Sequence, residues 1–127
     1  MKLECNPNLF QNAMSAKVYV ASLPTRYDAA SGGQVPSLDL NPATAHGALE
    51  VLTTGPQATG DALDAAIDLC ATRGEDYCHA AGDCILMVGD PILNAAFIAS
   101  AFYASEAVRL LRWDRKAHKY NEVEMRL

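Results

Sequence analysis

The sequence has few aromatic residues, no long apolar run and no excess of positive charge. Aromatic residues make up 7% of the chain, so its core must be built mainly from alanine, leucine, valine and isoleucine. The longest apolar stretch, residues 95–104, is interrupted by Ser100 and is too short to cross a bilayer. Residues 1–14 contain no apolar run typical of a signal peptide. We therefore expect a cytoplasmic protein without a membrane partner.

The negative charge is unevenly distributed along the chain. The formal net charge is −5 at neutral pH. Residues 1–104 contain four Lys/Arg against eleven Asp/Glu, whereas residues 105–127 contain six against four. Phosphate contacts dominate the affinity of proteins for nucleic acids, so an acidic chain is a poor candidate for binding them. Because the C-terminal segment is basic, nucleic acid stays a possible but less favoured partner.

The length of the chain and the order of its predicted elements indicate one small α/β domain. Buried strands are predicted at 16–22, 48–54 and 84–89, helices at 62–73 and 91–104, and hairpin strands at 108–115 and 120–127. Strands joined through helices favour a mainly parallel sheet, and the C-terminal hairpin adds an antiparallel edge. We expect a three-layer, Rossmann-like α/β domain over residues 16–127, preceded by an N-terminal arm of residues 1–15.

The segment between the first two predicted strands, residues 23–47, is expected to be a long loop. The residues that interrupt regular structure there are Pro24, Gly32, Gly33 and Pro36. Asn41 and Pro42 are expected to open a short helical turn as its cap and first residue, and Gly47 to end it. Loops of this length are uncommon in compact domains and often carry function.

The turn at residues 88–91, Val-Gly-Asp-Pro, follows a buried strand and precedes a helix. Ligands of open α/β sheets bind beyond the carboxyl ends of the strands, so Gly89 and Asp90 form a candidate ligand turn. A structural role is favoured instead, because the Asp90 carboxylate can cap the helix and would repel phosphate, and Pro91 has no N–H to offer. A ligand here would be a sugar hydroxyl or a metal ion rather than phosphate.

The turn after the second strand, residues 53–60, is rich in glycine and threonine. It matches neither the dinucleotide-binding Gly-x-Gly-x-x-Gly pattern nor the P-loop, so phosphate binding at Gly55 is a minor hypothesis. Together with Asp90 and the 23–40 loop, this turn supports an alternative function. That alternative is nucleotide or nucleic-acid binding and processing at the carboxyl end of the sheet.

Two groups of residues could hold a metal ion if the fold brought their members together. The first group is Cys70, Cys78, His79 and Cys84, and the second is Asp28, Asp39, Asp61 and Asp90. The cysteine spacings match no common zinc motif, and Cys70 and Cys84 fall at predicted core positions. None of the histidines lies in a recognisable nucleophile motif. We expect no metal, no cofactor and no catalysis.

The segment "LMVGDPILNAAFIASAF", with "VRLLRWDRKAHKYNEVEMRL" after it, resembles a family of small proteins from tailed bacteriophages. In that family an apolar strand ends in Gly-Asp-Pro, an alanine-rich helix follows, and a Leu-(Arg/Lys)-Trp-Asp-Arg hairpin closes the chain. The resemblance is best over residues 80–127 and weaker at "KVYVAS" and "LNPATAHGALEVL". It implies a phage origin and carries over no reaction or catalytic residue. We expect an accessory protein in the host-cell cytoplasm, and a structural or decoration role in the virion stays open as a further possibility.

The C-terminal hairpin is the most distinctive candidate surface of the sequence. The residues that surround Trp113 and Tyr120 are Arg109, Arg112, Arg115, Lys116, His118 and Lys119. Arginine and aromatic residues together are enriched at the centres of protein interfaces. The predicted contact residues for a host or phage protein are Arg112, Trp113, Arg115 and Tyr120.

Two further interpretations of the hairpin are kept open. Trp113 could pack into the core, with the arginines pairing across the hairpin with Glu122 and Glu124. The last strand alternates apolar and charged residues, which is typical of a half-exposed strand at a sheet edge. Such an edge could pair with a second copy and give a homodimer.

Overall fold

The computed structural model describes residues 16–56 and 60–127, so the predicted N-terminal arm of residues 1–15 lies outside the described residues. The strands of the described residues are β1 (Lys17–Val20), β2 (Thr25–Asp28), β3 (Gly33–Pro36), β4 (Ala48–Val51), β5 (Cys84–Leu86), β6 (Ala107–Asp114) and β7 (Lys119–Arg126). The α-helices are α1 (Asp61–Gly74) and α2 (Pro91–Ser105), and short 3₁₀ helices cover Asn41–His46 and His79–Ala81.

Five of these strands form one sheet in the order β4-β1-β5-β6-β7. The first four are parallel to one another, and β7 pairs antiparallel with β6. Strands β4, β5 and β6 are joined through α1 and α2, as the alternation of strand and helix in the sequence predicts, whereas β1 is joined to β4 through the β2–β3 hairpin and a 3₁₀ helix. The prediction of a small α/β domain with a mainly parallel sheet and a C-terminal antiparallel hairpin is confirmed, and β7 is an edge strand.

The two faces of the sheet are covered differently. Both α-helices pack on the face that carries Tyr19, Ile85 and Val108, where Phe97 of α2 is fully buried among them. The opposite face is covered by the 3₁₀ segment around Ala43 and carries a second, smaller cluster. The members of that cluster are Val18, Val20, Leu23, Ala43, Cys84, Leu86, Leu111 and Tyr120. The layer opposite the helices is therefore thin, because a short 3₁₀ helix and loops form it.

Helices α1 and α2 approach each other closely at Gly74, the last residue of α1. A Cβ at this position would lie 2.7 Å from the Cβ of Ser100 and would also collide with the carbonyl of Phe97. Gly74 thus ends α1, as predicted, but its backbone keeps a helical conformation. The absence of a side chain there lets the two helices pack on one side of the sheet.

Three local predictions need correction. The 23–47 loop contains the two-stranded β2–β3 hairpin, which pairs Thr25 with Pro36 and Asp28 with Gly33. Its strands are largely exposed and therefore show no hydrophobic periodicity. Asn41 is the first residue of its 3₁₀ helix rather than its cap, and Gly60 rather than Asp61 caps α1.

No helix in residues 16–56 or 60–127 has both the length and the apolar character needed to span a bilayer. The more apolar helix, α2, has 15 residues. A spanning helix needs about 20 apolar residues. A location in the host cytoplasm stays a prediction.

Candidate functional site

The turn at Gly89 is packed directly against the end of β1. Gly89 has a φ of +79°, a left-handed conformation that favours glycine. A Cβ on this residue would collide with the carbonyl oxygen and the hydroxyl of Ser22. The Ser22 hydroxyl also accepts a hydrogen bond of 3.0 Å from the backbone N–H of Asp90. The crevice between β1 and β5, where α/β sheets commonly hold ligands, is therefore occupied by the protein's own atoms at this point.

Asp90 caps α2, as the sequence predicts. Its Oδ1 accepts a hydrogen bond of 2.9 Å from the backbone N–H of Ile92. The side chain of Asn94 reinforces the same turn, since its amide nitrogen donates to the carbonyls of Val88 at 2.8 Å and Asp90 at 3.0 Å. Among buried side-chain atoms of the described residues, only the Oδ1 of Asn94 has no hydrogen-bond partner.

The second predicted ligand turn lies on the other side of β1. The N–H of Gly55 donates to the carbonyl of Leu23 at 2.9 Å, and a parallel bridge joins Leu23 to Thr54. The structure thus brings Gly55, Gly89 and Asp90 to the same end of the sheet. Each of the three is bonded to β1 or packed against it. Thr59, part of the same predicted loop, lies outside the described residues.

The two predicted metal groups are not assembled. Within residues 16–56 and 60–127, no three His, Cys, Asp or Glu side chains lie together in a way that could hold a metal ion. Cys70 and Cys84 are fully buried free thiols in the two core clusters, as predicted. Burial raises the pKa of the Cys84 thiol to about 12, so this side chain remains protonated at neutral pH.

Trp113 and Tyr120 lie opposite each other across the β6–β7 hairpin, and their rings contact at a centroid distance of 5.0 Å. Tyr120 is buried in the core cluster on that face, whereas Trp113 is 38% exposed. The edge of Trp113 also meets His118, whose ring centroid lies 6.2 Å away. Trp113 is therefore a half-exposed aromatic side chain held on a buried tyrosine.

The cations around Trp113 are exposed, and we call Trp113 with these cations the hairpin surface. They are Arg112, Arg115, Lys116 and Lys119. None of the four makes a side-chain ion pair or hydrogen bond with another described residue. Arg112 lies on the opposite face of β6 from Trp113, since neighbours in a strand alternate. The turn itself is held by Asp114, whose Oδ1 accepts from the N–H groups of Lys116 and Ala117.

The carboxylates of β7 have partners other than these cations. Glu122 lies 2.8 Å from the Nδ1 of His46 and 3.7 Å from the Nε of Arg109. Glu124 lies 2.8 Å from both the Nε2 of His79 and the Nε of Arg126. The predicted cross-hairpin pairing thus holds for Arg109, which forms an ion pair with Glu122 from β6. Arg112 and Arg115, by contrast, retain uncompensated charge within the described chain.

A chain of hydrogen bonds links the backbone of β6 to Glu124. The hydroxyl of Tyr77, which is buried, accepts from the N–H of Arg109 at 2.8 Å and lies 2.9 Å from the Nδ1 of His79. A carboxylate can only accept, so the Nε2 of His79 donates to Glu124. In the neutral imidazole, the Nδ1 then accepts from the hydroxyl of Tyr77. Burial raises the pKa of Tyr77 to about 12, so its hydroxyl remains a donor.

Asp83 is a buried carboxylate that the sequence pattern does not mark. Its two oxygens accept from the N–H of Lys17 at 3.0 Å and the N–H of Cys78 at 2.9 Å. Its own carbonyl accepts from the guanidinium of Arg109 at 2.9 Å. Asp83 therefore joins the starts of β1, β5 and β6. Only its position immediately before an apolar strand could have indicated it, and that position is not specific.

The fold defines a small α/β protein with a mainly parallel sheet. A sequence model described as "Phage Pam3 gp32-like protein" matches residues 16–127. The chain belongs to this phage protein family, and the match extends beyond residues 80–127, where the resemblance is best. No curated protein and no solved structure matches the chain.

Proposed function

We propose that this protein acts as a phage accessory protein that binds an acidic region of another phage or host protein through the hairpin surface. The observation that carries the proposal is the half-exposed Trp113 in a hairpin whose exposed cations make no side-chain ion pair or hydrogen bond with another described residue. Aromatic and arginine side chains dominate the binding energy of many protein interfaces. The acidic remainder of the chain disfavours nucleic acid as the partner.

The four predicted contact residues contribute differently to this proposal. Trp113 and Arg115 supply exposed aromatic area and charge at the hairpin tip. Tyr120 is buried and holds the Trp113 ring in place from beneath. Arg112 projects from the other face of β6 and would contact only a partner that wraps around the hairpin. A contiguous contact therefore centres on Trp113 and Arg115.

Replacing both Trp113 and Arg115 with alanine is expected to abolish capture of the partner. Loss of an aromatic–arginine centre typically costs about 2 kcal/mol or more of binding free energy. Immobilised wild-type and variant proteins are exposed to lysates of infected cells, and bound proteins are quantified by mass spectrometry. Capture by the wild type should also weaken as salt is raised, because exposed charges are screened.

The β2–β3 hairpin offers a matched control, since it also carries an exposed arginine next to an exposed aromatic residue. Tyr27 is 64% exposed and Arg26 is exposed beside it. The double alanine variant of Arg26 and Tyr27 should retain capture. If folded W113A/R115A protein captures the same proteins as the wild type, the proposal is wrong.

A second candidate function is nucleotide binding at the carboxyl end of the sheet. It is supported by the convergence of Gly55, Gly89 and Asp90 and by the buried, unpartnered Oδ1 of Asn94. It is less favoured, because Ser22 closes the Gly89 turn and the N–H of Ile92 is already bonded. Asparagine in place of Asp90 retains the cap but removes the charge.

Nucleotide binding at this site would depend on Asp90. Isothermal titration calorimetry of the wild type with nucleoside monophosphates and diphosphates is expected to show no heat of binding. Saturable heat that disappears in Asp90→Asn would instead favour the nucleotide function. Saturable heat that persists in Asp90→Asn would remove Asp90 from the site.

A further inference from the structure

Among the described strands, β7 is the last of the sheet, and one row of its backbone groups points away from β6. The N–H of Leu127 donates to the carbonyl of Glu106 at 3.1 Å, so the backbone of Leu127 is directed toward β6. Backbone groups alternate in direction along an antiparallel strand, and those of Glu122, Glu124 and Arg126 are therefore directed outward. An outward row of this kind can pair with another strand.

We propose that β7 pairs antiparallel with β7 of a second copy about a two-fold axis through Met125. In this register Glu124 of each copy lies opposite Arg126 of the other. Both residues direct their backbone groups outward, so each such pair exchanges two N–H···O=C bonds. The interface is isologous and closes as a dimer, in which the two five-stranded sheets become one continuous sheet.

The charges of β7 are complementary in this register. Within one copy, Arg126 already lies 2.8 Å from Glu124, and its side chain is 66% exposed. Pairing places a second Arg126 beside each Glu124 and joins the two ion pairs into a network. His79, bonded to Glu124 from behind, fixes the orientation of the carboxylate. Ion pairs in networks contribute more than isolated surface pairs.

The other face of β7 is apolar and exposed. Val123 is 43% exposed, Met125 45% and Leu127 85%. In the proposed register Met125 meets its own copy, and Val123 meets Leu127 of the other chain. Apolar cross-strand pairs of this kind contribute to sheet stability, and their burial favours association. The alternation of charged and apolar residues along β7 thus gives charge pairs on one face of the paired strands and apolar contacts on the other face.

The neighbouring registers are less favourable. A shift of the axis to Glu124 sets Glu122 of each copy opposite Arg126 of the other, but it places the two Glu124 carboxylates opposite each other at the centre of the pairing. A shift of the axis to Arg126 places the two Arg126 guanidinium groups opposite each other. Like charges directly opposite each other destabilise a strand pair, so the sequence selects the Met125 axis.

The test is a charge exchange followed by sedimentation equilibrium of the full chain over a range of concentrations. The wild type is expected to dimerise as concentration rises. Glu124→Arg and Arg126→Glu should each weaken dimerisation about 100-fold or more, because each places like charges opposite each other. An equimolar mixture of the two variants should form a heterodimer, since every pair across the axis is then of opposite charge.

Glu122→Arg is the matched control. Glu122 lies on the same face of the same strand and also pairs with a histidine, yet none of the described residues lies opposite it in the Met125 register. This variant should dimerise as the wild type does. A wild type that stays monomeric throughout, or a dimer that both Glu124→Arg and Arg126→Glu leave intact, would overturn the proposal. Equal loss in Glu122→Arg would overturn the register.

This dimer is independent of the proposed partner binding, because Trp113 and Arg115 lie at the hairpin tip and Met125 lies toward the other end of the strand. W113A/R115A should therefore dimerise normally. Failure of either proposal leaves the other intact.

Discussion

Alanine in place of Gly89 is expected to lower the free energy of unfolding by about 4 kcal/mol. Two costs add at this position. The left-handed φ of +79° is unfavourable for a residue with a Cβ, and the added methyl group would overlap the carbonyl of Ser22. The end of β1 or the start of α2 must then move, which strains the hydrogen bond from Asp90 to Ser22. Urea unfolding followed by circular dichroism measures the loss.

Gly32→Ala separates the cost of the left-handed backbone conformation from the cost of the steric overlap. Gly32 has a similar φ of +75°, but a Cβ there would meet no atom within 4 Å. Gly32→Ala should lower the free energy of unfolding by about 1 kcal/mol, because only the backbone conformation is unfavourable there. Equal losses in Gly89→Ala and Gly32→Ala would show that the Gly89 turn is not tightly packed against β1.

Asparagine in place of Asp83 is expected to destabilise the fold by about 3 kcal/mol. Both carboxylate oxygens accept backbone N–H groups, of Lys17 and Cys78, and an amide offers only one acceptor. Its NH₂ group would face one of these donors and leave a buried N–H unbonded. Thermal and urea unfolding measure the effect.

Asp68→Asn is the control for the loss of a carboxylate as such, because Asp68 is exposed on α1. A change within about 0.5 kcal/mol is expected there. If Asp83→Asn and Asp68→Asn unfold at the same urea concentration, Asp83 does not join the strands in the way its contacts indicate.

The stability contributed by Asp83 should also depend on pH. Burial raises the pKa of its carboxyl above the ordinary value, although the N–H groups of Lys17 and Cys78 oppose that rise. Between the unfolded and folded pKa values the folded state binds more protons, so the contribution is greatest in acid and falls as pH rises through this window. The difference in unfolding free energy between the wild type and Asp83→Ala should therefore decrease from acid to neutral pH. A difference that increases over this range would contradict the raised pKa.

The parts of the fold that follow from local chemistry could be predicted from the sequence. Asp90 and Pro91 start α2 as a cap and first residue because both effects depend only on neighbouring backbone groups. The uninterrupted apolar run at residues 84–89 predicts a strand covered on both faces. The strand is fully buried but ends at Leu86, and Met87 after it is 39% exposed. The β2–β3 hairpin could not be found in this way, since its strands pair through their backbones while none of their side chains is buried.

The candidate site depended on tertiary placement and was therefore only partly predictable. The composition of the hairpin indicated Trp113 and Tyr120 together, but their burial differs, because Tyr120 belongs to a core cluster whereas Trp113 is 38% exposed. Asp83 and Ser22 gave no signal, since their roles come from contacts with residues more than 60 positions away in sequence. The periodicity and the spacing of residues in the sequence do not predict such long-range contacts.

The hydrogen bonds from Arg109 through Tyr77 and His79 to Glu124 connect the interior of the domain to its edge strand. The phenol of Tyr77 is shielded from water, so exchange of its hydroxyl proton with solvent should be slow enough to detect. A change at Glu124 alters the polarity of the imidazole and, through it, the hydrogen bond of that phenol. The NMR resonance of the buried Tyr77 hydroxyl proton should therefore report binding at the edge strand β7.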